Sequence, residues 1–481
     1  MTTLKEKTAK GLFWGAMNNG TQQIIGLIFG IILGRLLSPS DYGMMAMIVV
    51  FSLIANAMQN SGFGVALTNI KDARHEDYNA VFWFNITMAV LLYILLFFLA
   101  PLIAGYYHIA ELVPLSRYAF LSFIFAALGL VQNTYLFKHF KAKEQAKAAG
   151  MAVLLSSITG AGMAFYGFGY WALATQNNLY VLLNTLFVWY YSPWRPTTSG
   201  ITLEPVRRMF GFSSKVLLTA IMTHVNNNVL NILLGRYFSA HDTGNYNQAY
   251  QWNLKCFTLV SNMMGQVAHP VLVDLKDDAE RQLNAFRKMM RLVAFISFPL
   301  LLGFGMVSTE FIVLAIGEKW LVSATYLKVL CYAGSVIPLA TLLSNMIISK
   351  GRSDIYFWCT FGLGVIQIIA MVSIWPYGIR RMVVAHTLLS IAWVFLWHYF
   401  TRRLTGYSLL SFLKDTLPFA LSSWAVMALT HLLTASISSL WLLLATRVLL
   451  SALLYYLVMR VAGAEILREC QRFIASKLFK K

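Results

Sequence analysis

Leu33-Gly34-Arg35-Leu36-Leu37-Ser38-Pro39-Ser40-Asp41-Tyr42-Gly43 returns 201 positions later as Leu234-Gly235-Arg236-Tyr237-Phe238-Ser239-Ala240-His241-Asp242-Thr243-Gly244. Leu, Gly, Arg, Ser, Asp and Gly match without a gap. Each copy lies between two long apolar segments, so the repeated unit is a helix, a tight polar turn and a second helix. A hairpin duplicated at this spacing predicts two similar halves, the construction of many secondary transporters.

The solvent follows from composition. With 58% hydrophobic residues, only 12% charged residues and a mean hydropathy of +0.63, the chain cannot cover itself with a polar surface, and it belongs in a membrane. The four cysteines, Cys256, Cys331, Cys359 and Cys470, are scattered. Their spacing supports neither a metal site nor a disulfide framework. Residues 1–10 are polar and basic, but the apolar run after them is too long for a signal peptide and reads as a retained first span.

A span needs roughly 20 apolar residues, and run length with turn residues places helices at about 11–37, 42–66, 79–105, 113–137, 146–168 and 170–191. A second set follows at about 208–237, 243–270, 286–308, 323–349, 354–376 and 380–401, and two further spans at about 409–432 and 438–461. The expected fold is an all-α membrane protein of about 14 transmembrane helices. Two parallel six-helix repeats form an N-lobe (1–191) and a C-lobe (208–402), with a Pro- and Arg-rich cytoplasmic linker (192–207), two extra helices (403–462) and a basic amphipathic tail (463–481). The repeat recurs in Asn133 with Lys138 and Asn345 with Lys350, at an offset of 212.

Charge gives an orientation. With a cytoplasmic N-terminus, only Arg35, Arg117, Arg236, Lys319, Lys328, Arg380 and Arg381 fall at the outer side, and Lys215, Lys255 and Arg447 fall inside helices. The remaining Lys and Arg residues, of 38 in all, are cytoplasmic. This bias explains the net charge of +19 without any nucleic acid. The pair Arg380-Arg381 breaks the rule. After Gly463, apolar Ile466, Leu467, Cys470, Phe473, Ile474 and Leu478 share a helical face beside basic residues, the pattern of a helix lying on an anionic leaflet.

Polar residues inside the spans carry the functional reading. Segment 243–270 bears Gln248, Gln251, Lys255, Asn262 and Gln266 on one stripe, and segment 208–237 bears Lys215, Thr219, Thr223, Asn226 or Asn227, and Asn231. The first two spans add Asn18, Asn19, Gln22 and Gln23, then Ser52, Asn56, Gln59 and Asn60. Such groups are costly against lipid and must face protein or water, which implies a hydrated cavity. No Asp or Glu falls in mid-helix, whereas Lys255 does. A cationic, amide-rich cavity suits an anionic, hydroxyl-rich substrate. The candidate substrate-binding residues are therefore Lys255, Lys215, Gln251, Asn227, Asn226, Gln22, Asn19, Asn60 and His224. Arg35 and Arg236 read equally as snorkelling interface residues and as an outer gate or headgroup contact. Asp41 and Asp242 read as helix caps, Asn133 and Asn345 as interhelical glue, and His224 and His269 as proton relays or packed neutral rings.

Lys10-Gly11-Leu12-Phe13-Trp14-Gly15, the 33–43 motif and Gly62-Phe63-Gly64 together resemble the Wzx-like polysaccharide transporters of the colanic acid and teichuronic acid exporter type. These belong to the multidrug/oligosaccharidyl-lipid/polysaccharide exporter superfamily. The resemblance implies a V-shaped, two-lobed fold. It also implies translocation of an undecaprenyl-diphosphate-linked oligosaccharide to the outer leaflet of a bacterial plasma membrane, with both termini cytoplasmic. It fixes no ligand residue. The partners expected are the lipid-linked glycan, membrane lipids, and a polysaccharide polymerase with assembly proteins; the chain is expected to be a monomer. No GxxxxGK[ST] loop is present, so no nucleotide or other cofactor is expected and the reading is of a transporter, not an enzyme. The alternatives are a cation-coupled drug or metabolite antiporter of the same superfamily, which would keep a carboxylate inside one lobe, and a membrane polysaccharide polymerase, which would want a large acidic loop.

Overall fold

A computed structural model of the chain describes residues 4–60, 67–68, 70, 73–198 and 204–478, and among them every regular element is a helix. Contacts divide the chain into two compact units that meet in sequence between Gly244 and Asn245.

The first unit holds α1 (Leu4–Leu36), α2 (Pro39–Asn60), α3 (His75–Tyr107), the short α4 (Leu112–Ala119), α5 (Leu121–Lys138), α6 (Ala142–Phe165), α7 (Tyr170–Tyr191), α8 (Glu204–Tyr237) and the start of α9 (Ala240–Asp274). Helix α6 packs on α1 and α7, α5 packs on α3 and α7, and α2 and α3 pack on α8. The aromatic and aliphatic cluster of Met47, Tyr107, Leu112, Phe120 and Phe123 is buried at the α3 to α5 corner. Residues 192–197, the first part of the expected linker, are fastened to α3. The Trp194 indole donates to His75 Nδ1 at 3.1 Å, the Thr197 amide to Asn79 Oδ1 at 2.9 Å, and the Trp83 indole to the Thr197 carbonyl at 2.8 Å.

The second unit holds the rest of α9, α10 (Ala279–Met306), the short α11 (Ser308–Ile316), α12 (Leu321–Ser349), α13 (Ser353–Ile374), α14 (Ile379–Thr405), α15 (Leu409–Leu433), α16 (Leu440–Val461) and α17 (Glu465–Leu478). Helix α10 is central, packing on α12 and α15, and α12 packs on α14. Both units insert a short helix before the long one that ends at the repeated Lys: α4 before α5 and Lys138, α11 before α12 and Lys350. The expected single helix over 113–137 is thus two, joined at Phe120.

Ten helices among the described residues are long and apolar enough to cross a bilayer, and Gly20–Leu36 and Pro39–Ile54 are shorter apolar helices. Outward-facing apolar side chains such as Phe98, Leu102, Leu449 and Val461 are largely exposed. That is what a hydrocarbon solvent requires; the chain is a multi-pass membrane protein.

Helices α15 and α16, outside the repeat, are held to the second unit by an ionic cluster at either end. At one end Arg447 is 6% and Glu310 7% exposed, with Arg447 Nη1 2.6 Å from Glu310 Oε1. Its Nε donates to Thr434 Oγ1 at 3.1 Å. At the other end Asp415, 3% exposed, accepts from Arg287 Nε at 2.9 Å and Nη2 at 3.2 Å and from the Tyr407 hydroxyl at 2.9 Å. Arg447, odd by sequence inside a span, therefore has a carboxylate partner. Helix α17 docks on α10 through Lys288 to Glu469 at 2.7 Å and Arg291 to Glu465 at 3.0 Å, with Ile466 and Leu467 buried and Arg468 and Arg472 exposed.

Candidate functional site

The turn between the duplicated helices is built the same way in both copies. Ser38 is the first cap. Its hydroxyl accepts from the Asp41 amide at 3.3 Å, and the Asp41 carboxylate accepts from the Ser38 amide at 2.9 Å and the Ser38 hydroxyl at 2.6 Å. Ser239 and Asp242 repeat two of these bonds, the Asp242 amide to the Ser239 hydroxyl at 3.1 Å and that hydroxyl to the Asp242 carboxylate at 2.7 Å. Ser38 and Asp41 therefore close a capping box and Ser239 and Asp242 its side-chain half, the N-cap residue being the serine in both, and this sets the register of α2 and α9.

That register sorts the amides of α9 into two faces. Asn245 and Asn253, eight residues apart, turn into the second unit. Asn245 Oδ1 accepts from the Ser323 hydroxyl at 2.9 Å, and Asn253 lies where a Cβ on Gly334 would be 2.3 Å from its Oδ1. These are interhelical bonds and close packing. On the other face Gln248 is buried, Gln251 and Lys255 are half-buried and Asn262 is exposed. Gln251 Nε2 lies 3.5 Å from Asn247 Oδ1.

Lys255 holds its ammonium 4.3 Å from the centre of the Trp252 ring. Trp252 is 4% exposed and is fixed edge-on against Phe311, with centroids 4.9 Å apart and planes at 81°. The ring cannot turn away, so its electron-rich face is a permanent seat for a cation, worth about 0.5–2 kcal/mol. Among the described residues Lys255 has no carboxylate partner. A π face, unlike a carboxylate, leaves N–H donors of the ammonium on the side away from the ring available to a ligand.

On α8 the run Asn226-Asn227-Asn228 splits by direction: Asn226 and Asn228 are buried and Asn227 is exposed. Asn228 Nδ2 donates to the His224 carbonyl at 3.0 Å. His224 and Gln22 are half-buried. The side chains of Lys215, Asn19 and Asn60 lie outside the described residues, as do those of Asn18, Asn56, Gln59, Thr219, Gln266 and His269. Gln251 and Lys255 share one face of α9, and His224, Asn226 and Asn227 share α8.

Arg35 is exposed. Arg236 has a structural employment that its sequence position did not suggest. Its Nη1 donates to the Tyr106 carbonyl and bonds His108 Nε2, and its guanidinium lies 5.1 Å over the Tyr106 ring. It thus places a cation at the carbonyl end of α3, where His108 takes the left-handed conformation that ends the helix (φ 58°).

Comparison with known proteins assigns the chain. The family model described as "Polysaccharide biosynthesis protein" matches residues 32–325, well over half of the chain. The chain belongs to the polysaccharide biosynthesis protein family. Among members with curated names, it is 27% identical over 410 residues to the teichuronic acid biosynthesis protein TuaB of Bacillus subtilis (strain 168), covering 82% of this chain and 80% of TuaB. It is 25% identical to the lipopolysaccharide biosynthesis protein WzxC of Escherichia coli (strain K12), covering 74% and 72%. Its fold matches the lipid II flippase MurJ in an inward closed conformation with a TM-score of 0.76 at 15% identity, covering 94% of this chain and 98% of that one. Within this family protein two features were missed in the sequence. Trp252 was legible, since it stands three residues before Lys255 on the same helical face. Glu310, 137 residues from Arg447, left no local signal.

Proposed function

We propose that this family member is a flippase that carries an undecaprenyl-diphosphate-linked oligosaccharide from the cytoplasmic to the outer leaflet of a bacterial inner membrane by alternating access, for surface polysaccharide assembly. The termini are cytoplasmic, and the partners are membrane lipids with a polymerase and assembly proteins. The observation that carries the reading is Lys255. It is an ammonium about midway along a membrane helix, balanced by a tryptophan face instead of a carboxylate and flanked by amides. The ammonium contributes charge-assisted bonds to a phosphate, and Gln251, Asn227 and the other amides donate to and accept from sugar hydroxyls. By their place in the sequence, Lys215, Asn226, His224, Gln22, Asn19 and Asn60 are further candidate contacts for the same substrate. The names of the relatives, in teichuronic acid and lipopolysaccharide biosynthesis, agree with such a substrate.

The carboxylates buried in the second unit do not offer a site for an organic cation, because both Glu310 and Asp415 are already bound to arginine. The membrane potential favours this direction of transport. An inside-negative potential of 100 mV favours outward movement of each negative charge by about 2.3 kcal/mol, so the two charges of a diphosphate suffice without ATP.

The test replaces Lys255 with Ala in a strain whose surface polymer depends on this protein, and measures polymer and protein level together. Loss of polymer at unchanged protein level is expected, with partial recovery in Lys255→Arg. Normal export in Lys255→Ala removes the residue from the site. Efflux of cationic dyes by the reconstituted protein, with no movement of a lipid-linked oligosaccharide, overturns the flippase reading itself.

A further inference from the structure

A half-open cavity of about 180 Å³ lies in the second unit between α10, α12 and α15, with Leu302, Met306, Lys328, Tyr332, Trp424 and His431 among its walls. It is separate from the Lys255 face of α9. Its floor is apolar, no carboxylate lines it, and its two basic groups are Lys328 and His431. Lys328 is exposed and has no ion-pair partner among the described residues. His431 is oriented from behind, since its Nδ1 sits 2.9 Å from Arg447 Nη2. An arginine only donates, so Nδ1 accepts and the proton of the neutral ring is on Nε2. Arg447 cannot shift to release it, because its other nitrogens are bound to buried Glu310 and to Thr434. His431 therefore belongs to a rigid frame, with the mobile Lys328 ammonium beside it.

Their depth in the fold identifies the environment. Lys328 is the eighth residue of α12, about 10 Å from its start at 1.5 Å per residue, and His431 is in the last turn of α15. Both stand within about two turns of the end of a membrane helix, close enough for their polar ends to reach the headgroup region. Tyr332 and Trp424, about one turn deeper than Lys328 and two turns deeper than His431, are 42% and 60% exposed and continue the cavity wall toward the middle of the span.

We propose that this cavity binds the phosphate of a membrane phospholipid. Lys328 Nζ and His431 Nε2 donate to the phosphate oxygens, and the acyl chains lie along Leu302, Met306 and Trp424. The chemistry is that of a phosphate diester, and the apolar walls favour the lipid over the free ion. Basic pockets between membrane helices recognise lipid headgroups in this way. The site also gives α15 a role, which is to carry half of a lipid clamp.

The experiment titrates the purified full-length chain in detergent with phosphatidylglycerol and counts bound lipid by native mass spectrometry. One saturable lipid is expected on the wild type. Lys328→Gln is expected to weaken it about tenfold, the usual size of one charge-assisted bond, and Lys328→Arg to restore it. Diacylglycerol, which lacks the phosphate, is expected not to compete. Equal lipid affinity in wild type and Lys328→Gln overturns the proposal. Displacement of the lipid by millimolar inorganic phosphate overturns the lipid assignment in favour of a free-anion site. Should Lys328→Gln melt earlier than wild type without lipid, the comparison of wild type with Lys328→Arg decides: a wild-type affinity in the arginine variant supports the site, and a saturable lipid absent from both removes it.

Discussion

Gly43 and Gly244, the last residues of the two copies of the repeated motif, lie against each other's helix. A Cβ on Gly244 would stand 2.9 Å from the Gly43 amide nitrogen and 1.7 Å from the Pro39 carbonyl oxygen, and a Cβ on Gly43 would stand 1.7 Å from the Ala240 carbonyl oxygen. Each glycine is therefore where the backbone of the opposite copy must pass. The obstruction is backbone, which cannot rotate aside as a side chain can. Gly43→Ala and Gly244→Ala should each separate the first turns of α2 and α9, costing at least about 1–3 kcal/mol. Thermal denaturation of the purified variants reads this directly. Gly150→Ala, inside α6 where nothing lies within 4 Å, should melt no earlier than the wild type.

The buried Arg447 and Glu310 pair makes a second prediction. Glu310→Gln leaves a guanidinium charge uncompensated in the interior, and losing one partner of a buried pair typically costs about 3–5 kcal/mol. A double change, Glu310→Leu with Arg447→Met, should recover most of it because no charge is left behind. Melting temperatures of the three proteins test the order; a double variant less stable than Glu310→Gln would refute it.

At the opposite end of the same helix pair, Asp415 accepts from Arg287 and Tyr407 while Arg291 Nε lies 3.7 Å away. Asp415→Asn removes the charge shared by two arginines and should loosen the start of α15. Limited proteolysis between Thr405 and Ser408 should become faster than in wild type, while cleavage of residues 192–198 stays unchanged.

Lys255 and Trp252 give a prediction about transport. Trp252→Leu keeps an apolar packing partner for Phe311 but removes the π face under the ammonium, about 0.5–2 kcal/mol. Transport should fall roughly 2- to 30-fold at unchanged protein level, and Trp252→Phe should retain more of it. Equal activity in the leucine and wild-type proteins would show that the ring does not seat the cation.

The docking of α17 combines buried Ile466 and Leu467 with two surface ion pairs, each pair worth about 0.2–1 kcal/mol. Glu469→Lys should therefore expose the α16 to α17 connection at Gly463 to protease. The paired reversal Lys288→Glu with Glu469→Lys should protect it again, which a merely unfolded variant would not do.

Composition, run length and a repeated eleven-residue motif were enough to define an all-α membrane protein with a duplicated plan, because hydropathy and turn chemistry are local properties that survive in any fold. The same holds in part for the two turns, where Asp41 and Asp242 read as caps but the N-cap side chains are Ser38 and Ser239 three residues earlier, and for the one-sided placement of Lys255 with Gln251. Tertiary structure decided the rest. It divided the amides of α9 between a face packed on α12 and a half-open one, gave Arg236 the end of α3, and joined Arg447 to Glu310 across 137 positions. It also showed why the motif ends in glycine in both copies. These outcomes depend on which helices become neighbours, a long-range matter of packing that no helical period or spacing within one segment encodes.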